Sequence, residues 1–231
     1  MRAATEIGLG VCCAFAFASS CGHEGVTVEY RDGRAWSAIE RRTIERVARR
    51  ASRDVRAILP ELPSTLRLTV QVGDKVIPET GENAGVGLPA AVYWTVDPGH
   101  DGGVIAVVNA QLRATLFHEF YHLVREARIG QDSPFSLVIS EGLATAFERD
   151  FGGAPTPWGE YPPDVAEWAA EFLTLSDGER ARRMSRSPDG RRWFGYKVGT
   201  YLADRAVKIS GQSLAQLATE PTDRILRWAK P

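Results

Sequence analysis

Thr65-Leu66-Arg67-Leu68-Thr69-Val70-Gln71-Val72 alternates polar and apolar side chains, the period of a half-buried strand. A shorter strand is expected at Val26 to Tyr30. A helical stretch from about Trp36 to Leu59 follows it and is ended by Pro60 and Pro63. A loop containing glycine and proline should run from about Gly73 to Pro89. Two β-rich runs, Ala91 to Val96 and Val104 to Val108, flank Asp97–Gly103 and read as a hairpin with a generous loop. From Asn109 the pattern turns helical, with Asn109 as a plausible N-cap and Gly130 as a stop. Ser133-Pro134 opens the next helix and Gly152-Gly153 closes it. Asp164 and Glu167 form a capping-box-like start to a third, and another helix is expected from about Arg192 to Ile209. The class is α+β: a small N-terminal mixed sheet with a helix, then a helical C-terminal half, in one domain over residues 22–231.

Composition changes this picture little. Across 231 residues the hydrophobic share is 44%, the charged share 25% and the formal net charge -1, ordinary for a soluble globular chain and without a basic footprint for nucleic acid. The arginines from Arg41 to Arg56 alternate with Glu40, Glu45 and Asp54, as on a solvated helix face; those from Arg180 to Arg192 read as a surface loop. Cysteine placement is more telling. Cys12, Cys13 and Cys21 are the only three, so the main domain holds no thiolate ligand or cysteine nucleophile. Residues 1–21 resemble an export signal, with Arg2 ahead of an apolar run from Ile7 to Ala18 that is too short to span a bilayer comfortably. Cleavage after Ala16-Phe17-Ala18 and a lipobox at Ala18-Ser19-Ser20-Cys21 are both compatible with it. The second would lipidate Cys21 and anchor the protein in the cell envelope.

The chemistry concentrates at His118-Glu119-Phe120-Tyr121-His122. Histidines four apart share a helix face and can converge on one ion, with Glu119 beside it where a carboxylate can take a proton from water. Leu116, Phe120, Leu123 and Ala127 form an apolar stripe on the opposite face. Two core histidines on an amphipathic helix would look the same, and a catalytic zinc needs three protein ligands. Glu141, nineteen residues after His122, can supply the third from a helix that folds back. Leu137, Val138 and Ala144 would bury its face, and Gly142 inside the helix suggests a close helix approach at the metal. A di-iron bundle would need a second Glu-x-x-His, which the chain lacks.

Together with Ser140-Glu141-Gly142-Leu143-Ala144, these residues resemble the gluzincin branch of zinc metallopeptidases. Within it they are similar to a bacterial family of uncharacterised, predicted zinc-dependent peptidases, over about Leu112 to Leu202. The resemblance implies a zincin-like fold, Zn2+ held by His118, His122 and Glu141, and Glu119 as general base. It also implies a peptide or protein substrate lying along an edge strand, for which Ala91 to Val96 or Val104 to Val108 are candidates. Gly195-Tyr196-Lys197-Val198-Gly199-Thr200-Tyr201 resembles the family's downstream helix, with Tyr196, then Tyr201, as the oxyanion-stabilising candidate. Two other functions fit the same ligands: a non-catalytic, zinc-stabilised envelope binding lipoprotein and an amidase acting on non-peptide substrates.

Overall fold

The computed structural model describes residues 25–31 and 34–230; the expected signal segment, Cys21 included, lies outside them. A four-stranded mixed sheet forms the N-terminal part, and helices make up most of the rest. The strands are β1 (Gly25–Tyr30), β2 (Thr65–Val72), β3 (Glu82–Gly87) and β4 (Ala91–Val96), in the spatial order β1-β2-β4-β3. β1, β2 and β4 run parallel, and β3 pairs antiparallel with β4 at the edge. Leu66, Leu68 and Val70 of β2 and Val92, Trp94 and Val96 of β4 are buried, so the alternation read in the sequence becomes the core face. Each such fully buried apolar side chain contributes about 1.5–3 kcal/mol relative to exposure.

Helix α1 (Ala38–Ile58) connects β1 to β2 and carries Ile44, Ala48, Ala51 and Val55 into that core. Its start is a capping box: Ser37 Oγ accepts from the Glu40 amide, and the Glu40 carboxylate accepts from the Ser37 amide. The exposed arginines Arg42, Arg46, Arg49 and Arg50 lie on its outer face, as expected.

Two expectations about strands are corrected. The loop predicted from Gly73 to Pro89 contains β3. The strand predicted at Val104 to Val108 is instead helix α2 (Gly103–Val107) running into a π turn (Val108–Leu112). Its β-branched residues favour a strand, but Val104, Val107 and Val108 are the buried ones, a helical spacing, and β3 already occupies the free side of β4. Asn109 therefore lies inside the π turn rather than capping a helix.

The π turn leads into α3 (Arg113–Arg128), followed by α4 (Ser136–Phe151), α5 (Val165–Thr174), α6 (Asp177–Arg183), α7 (Phe194–Ser210), α8 (Leu214–Leu217) and α9 (Thr222–Ala229). The arginine-rich segment read as a loop thus begins as helix α6, with Arg180 buried against Phe135. Asp164 precedes α5 without capping it and instead accepts from Trp168 Nε1. α3 is buried on nearly all sides from Leu116 to Arg125, while Ala127, expected in its apolar stripe, is exposed. On α4, Leu137, expected with Val138 and Ala144 to bury the Glu141 face, is exposed as well, and only the other two are buried. Arg125 reaches the C-terminal segment, donating to the carbonyls of Leu217 and Glu220 and to Thr222 Oγ1, and so ties α8 and α9 to the helix that carries His118 and His122.

Gly142 marks a close approach, but of a different pair of helices than expected. A Cβ there would lie 2.1 Å from the carbonyl carbon of Gly199, so the two glycines let α4 and α7 touch backbone to backbone. Among the described residues no helix is long and apolar enough to cross a membrane.

Candidate metal centre

His118 and His122 project from successive turns of α3, and Glu141 reaches them from α4. His118 Nε2 and His122 Nε2 are 3.0 Å apart; Glu141 Oε2 is 3.2 Å from the first and 3.5 Å from the second. Tetrahedral ligands about 2.0–2.1 Å from one ion lie about 3.3 Å from each other, so this triangle has the dimensions of a metal's coordination face. These three residues could hold a metal ion.

The outer ring nitrogens are engaged as a metal site requires. His118 Nδ1 is 3.0 Å from Glu148 Oε2, which also accepts from Trp158 Nε1 at 2.9 Å. His122 Nδ1 is 3.1 Å from Ser140 Oγ. With Nδ1–H donating outward in each ring, both Nε2 lone pairs turn to the centre. Burial works against a charged His118, but Glu141 and Glu148 outweigh it and hold its pKa well above the usual imidazole range. Burial also opposes ionisation of Glu141, yet His122 and His118 keep its carboxyl well below the ordinary value.

Glu119 is buried beside the triad, and its carboxylate accepts no hydrogen bond from the described residues. Burial raises its pKa; His118 and His122 oppose the rise and Glu141 and Glu148 add to it. Two cavities meet here, and both are lined by His118, Glu119, Tyr196 and Ala84. One extends toward Glu82, Trp158 and Trp193, the other toward Val86, Ser140 and Glu126. The cleft they form runs along β3. The edge strand beside α3 is therefore β3, neither β4, which is interior, nor Val104–Val108, which is helical.

Tyr196, in the first turn of α7, faces this cleft. Burial raises its hydroxyl pKa far above the ordinary phenol value, and Glu141 and Glu119 raise it further, so the hydroxyl keeps its proton. Tyr201 packs edge-on against Tyr161 at 5.6 Å and lines neither cavity. His100 lies against Gly81, whose left-handed φ of 69° turns the chain into β3.

Glu148, Trp158, Trp193 and Glu82 are site residues that reading the sequence did not single out. For Glu148 a signal existed: it follows Glu141 by seven residues, two helical turns, and so shares its face. Glu82 lay in a segment read as loop.

Fold and site together define a mixed α/β protein with a His-His-Glu cluster on two packed helices that could hold a metal ion. The chain belongs to the domain family DUF2268, described as a predicted Zn-dependent protease, which it matches over residues 36–227. No curated protein and no solved structure matches it.

Proposed function

We propose that the protein is a zinc-dependent peptidase of gluzincin type, with His118, His122 and Glu141 as ligands and Glu119 as general base. One observation carries this reading: three ligating side chains converge at tetrahedral spacing while a fourth, non-ligating carboxylate shares the cavities that open on them. A purely structural zinc is closed off by a fourth protein ligand. Among the described residues three gather, and the remaining side faces a cleft.

Zinc, when bound, supplies a Lewis acid that polarises the scissile carbonyl and acidifies water. Glu119 takes a proton as the water oxygen bonds to the carbonyl carbon. The carbon–nitrogen bond then breaks, and Glu119 returns the proton to the departing amine. The Tyr196 hydroxyl, protonated at every physiological pH, is suited to donate to the oxyanion. Glu148 and Ser140 orient the imidazoles. The outer edge of β3 offers backbone donors and acceptors to an extended substrate, and the small Ala84 and Gly85 keep that edge open. The apolar run ahead of Cys21 supports action outside the cytoplasm, and mass analysis of the mature N-terminus would distinguish cleavage from lipidation.

Glu119→Gln tests the assignment. The variant should keep zinc at wild-type stoichiometry and lose about 100-fold or more in turnover of a mixed peptide library. Wild-type turnover should vanish with chelator and return with zinc. Metal retention with unchanged turnover in the variant would overturn the role of Glu119.

A further inference from the structure

The cavity on the Glu82 side contains more than hydrolysis alone requires. Glu82 is 4% exposed, and its two carboxylate oxygens accept from neutral donors, Trp94 Nε1 and Thr115 Oγ1. No lysine, arginine or histidine pairs with it among the described residues, and neither cavity is lined by a lysine or arginine. A buried carboxylate without a counter-charge is costly. Burial, against its two hydrogen bonds, and repulsion from Glu148 and Glu119 push its carboxyl up to about 7. Each oxygen still has a lone pair for a further donor. Across the cavity stand Trp158, Trp193 and Tyr196, in edge-to-face contact at 5.5 and 5.7 Å between ring centres. Trp193 holds a left-handed φ of 57°, a conformation unfavourable for a bulky residue that sets its ring at the mouth of this cavity. Aromatic faces around a carboxylate attract cations and favour neutral groups far less.

We propose that this cavity is a pocket for a cationic substrate group, an ammonium or guanidinium received by Glu82 beside the rings of Trp158 and Trp193. The inference rests on the peptidase reading. Two sources present that chemistry: a lysine or arginine side chain next to the scissile bond, and the substrate's free α-amino group. A peptide pairing antiparallel to β3 brings the residue after the bond to the Glu82 end, where a basic side chain would enter; parallel pairing would bring the amino-terminal side.

The test uses zinc-loaded full-length protein and matched peptides with lysine, arginine or norleucine on either side of the cleaved bond, each with a free or acetylated N-terminus. The cationic peptide should exceed its norleucine match in kcat/KM by about 30-fold or more, and Glu82→Gln should bring that ratio to within about threefold of one. A preference for lysine or arginine over norleucine that survives acetylation assigns the side chain; a preference for the free over the acetylated N-terminus, whatever the side chain, assigns the α-amine. Turnover that ignores the cation overturns the pocket. So does an equal loss on all peptides in Glu82→Gln, which would make Glu82 only a brace between β3 and α3. Gln can accept from one of the two donors but not both, so the wild-type ratio decides if that variant does not fold. Calorimetry on zinc-loaded Glu119→Gln separates the two readings. Cation-selective binding there, with no peptide cleaved by the wild type, overturns the peptidase reading and keeps the pocket.

Discussion

The two walls of the cleft are held by different means. The helical wall, α3 with α4 and α7, is locked by backbone contact between Gly142 and Gly199 and by the Glu148 and Ser140 contacts behind the histidines. The strand wall, β3 and the turn before it, is paired only with β4 and is fastened to the helices by side chains, Glu82 to Thr115 and Glu79 to Arg192. Metal ligands tolerate displacements of a few tenths of an ångström, so they belong on the rigid side. A substrate must enter and leave, and the open strand edge with adaptable side chains suits that. On the proposed function, chemistry falls to one wall and selection to the other, and variants in each should fail differently.

The largest effect is expected at the helical contact. Gly142→Val drives a side chain into the Gly199 backbone, which cannot move without separating α4 from α7. A loss of about 3–5 kcal/mol in denaturant unfolding should result, with zinc binding lost in parallel. A stable, zinc-binding Gly142→Val would show that the helical wall is not rigid.

The strand wall should instead show its tension in pH dependence. In the metal-free protein Glu82 has a folded pKa of about 7 against an ordinary value of 4.5. Between those values the folded state holds the proton more tightly than the unfolded one. The contribution is therefore complete below about pH 4.5 and is lost as pH rises through 7. The difference amounts to about 3 kcal/mol. Unfolding free energies at acid and slightly alkaline pH should narrow the gap between wild type and Glu82→Gln, or reverse it, as pH rises. A gap independent of pH would mean that Glu82 is solvated.

Behind the ligands, Glu148→Gln should weaken zinc binding by about 10- to 100-fold, read by chelator competition. Ser140→Ala, which removes a neutral partner, should cost less. Equal effects would remove the charge from the explanation.

The same contrast explains what the sequence made legible. His118, Glu119 and His122 are fixed by the helical period, and Glu141 follows from its position on the next helix, so the helical wall could be read from short-range pattern. β3 could not: Glu82-Asn83-Ala84-Gly85-Val86-Gly87 has two glycines and little β-branching, and it is a strand because β4 offers it an edge. Val104–Val108 erred in the opposite direction, its β-branched composition being overridden by burial at helical spacing. Gly142 signalled a close approach without naming the partner, since a missing side chain does not say which backbone fills its place.

The smallest effect should come from the exposed tie across the cleft. Arg192 Nη2 donates to Glu79 Oε2 at 2.6 Å, and the guanidinium also lies over the Trp193 ring at 5.1 Å. Both partners are about half exposed, so solvent screens the pair, and Arg192→Ala should cost no more than about 1 kcal/mol of stability. Because the pair joins the turn before β3 to the start of α7, its loss should appear as a KM raised about two- to fivefold with kcat nearly unchanged. That difference should disappear in about 1 M salt, where the wild-type pair is screened as well. Arg192→Lys should recover only part of it, since an ammonium keeps the charge but lacks the planar fork that meets both carboxylate oxygens. A fall in kcat, or a salt-independent effect, would mean that the strand wall positions the reacting groups, and the division between the two walls would have to be abandoned.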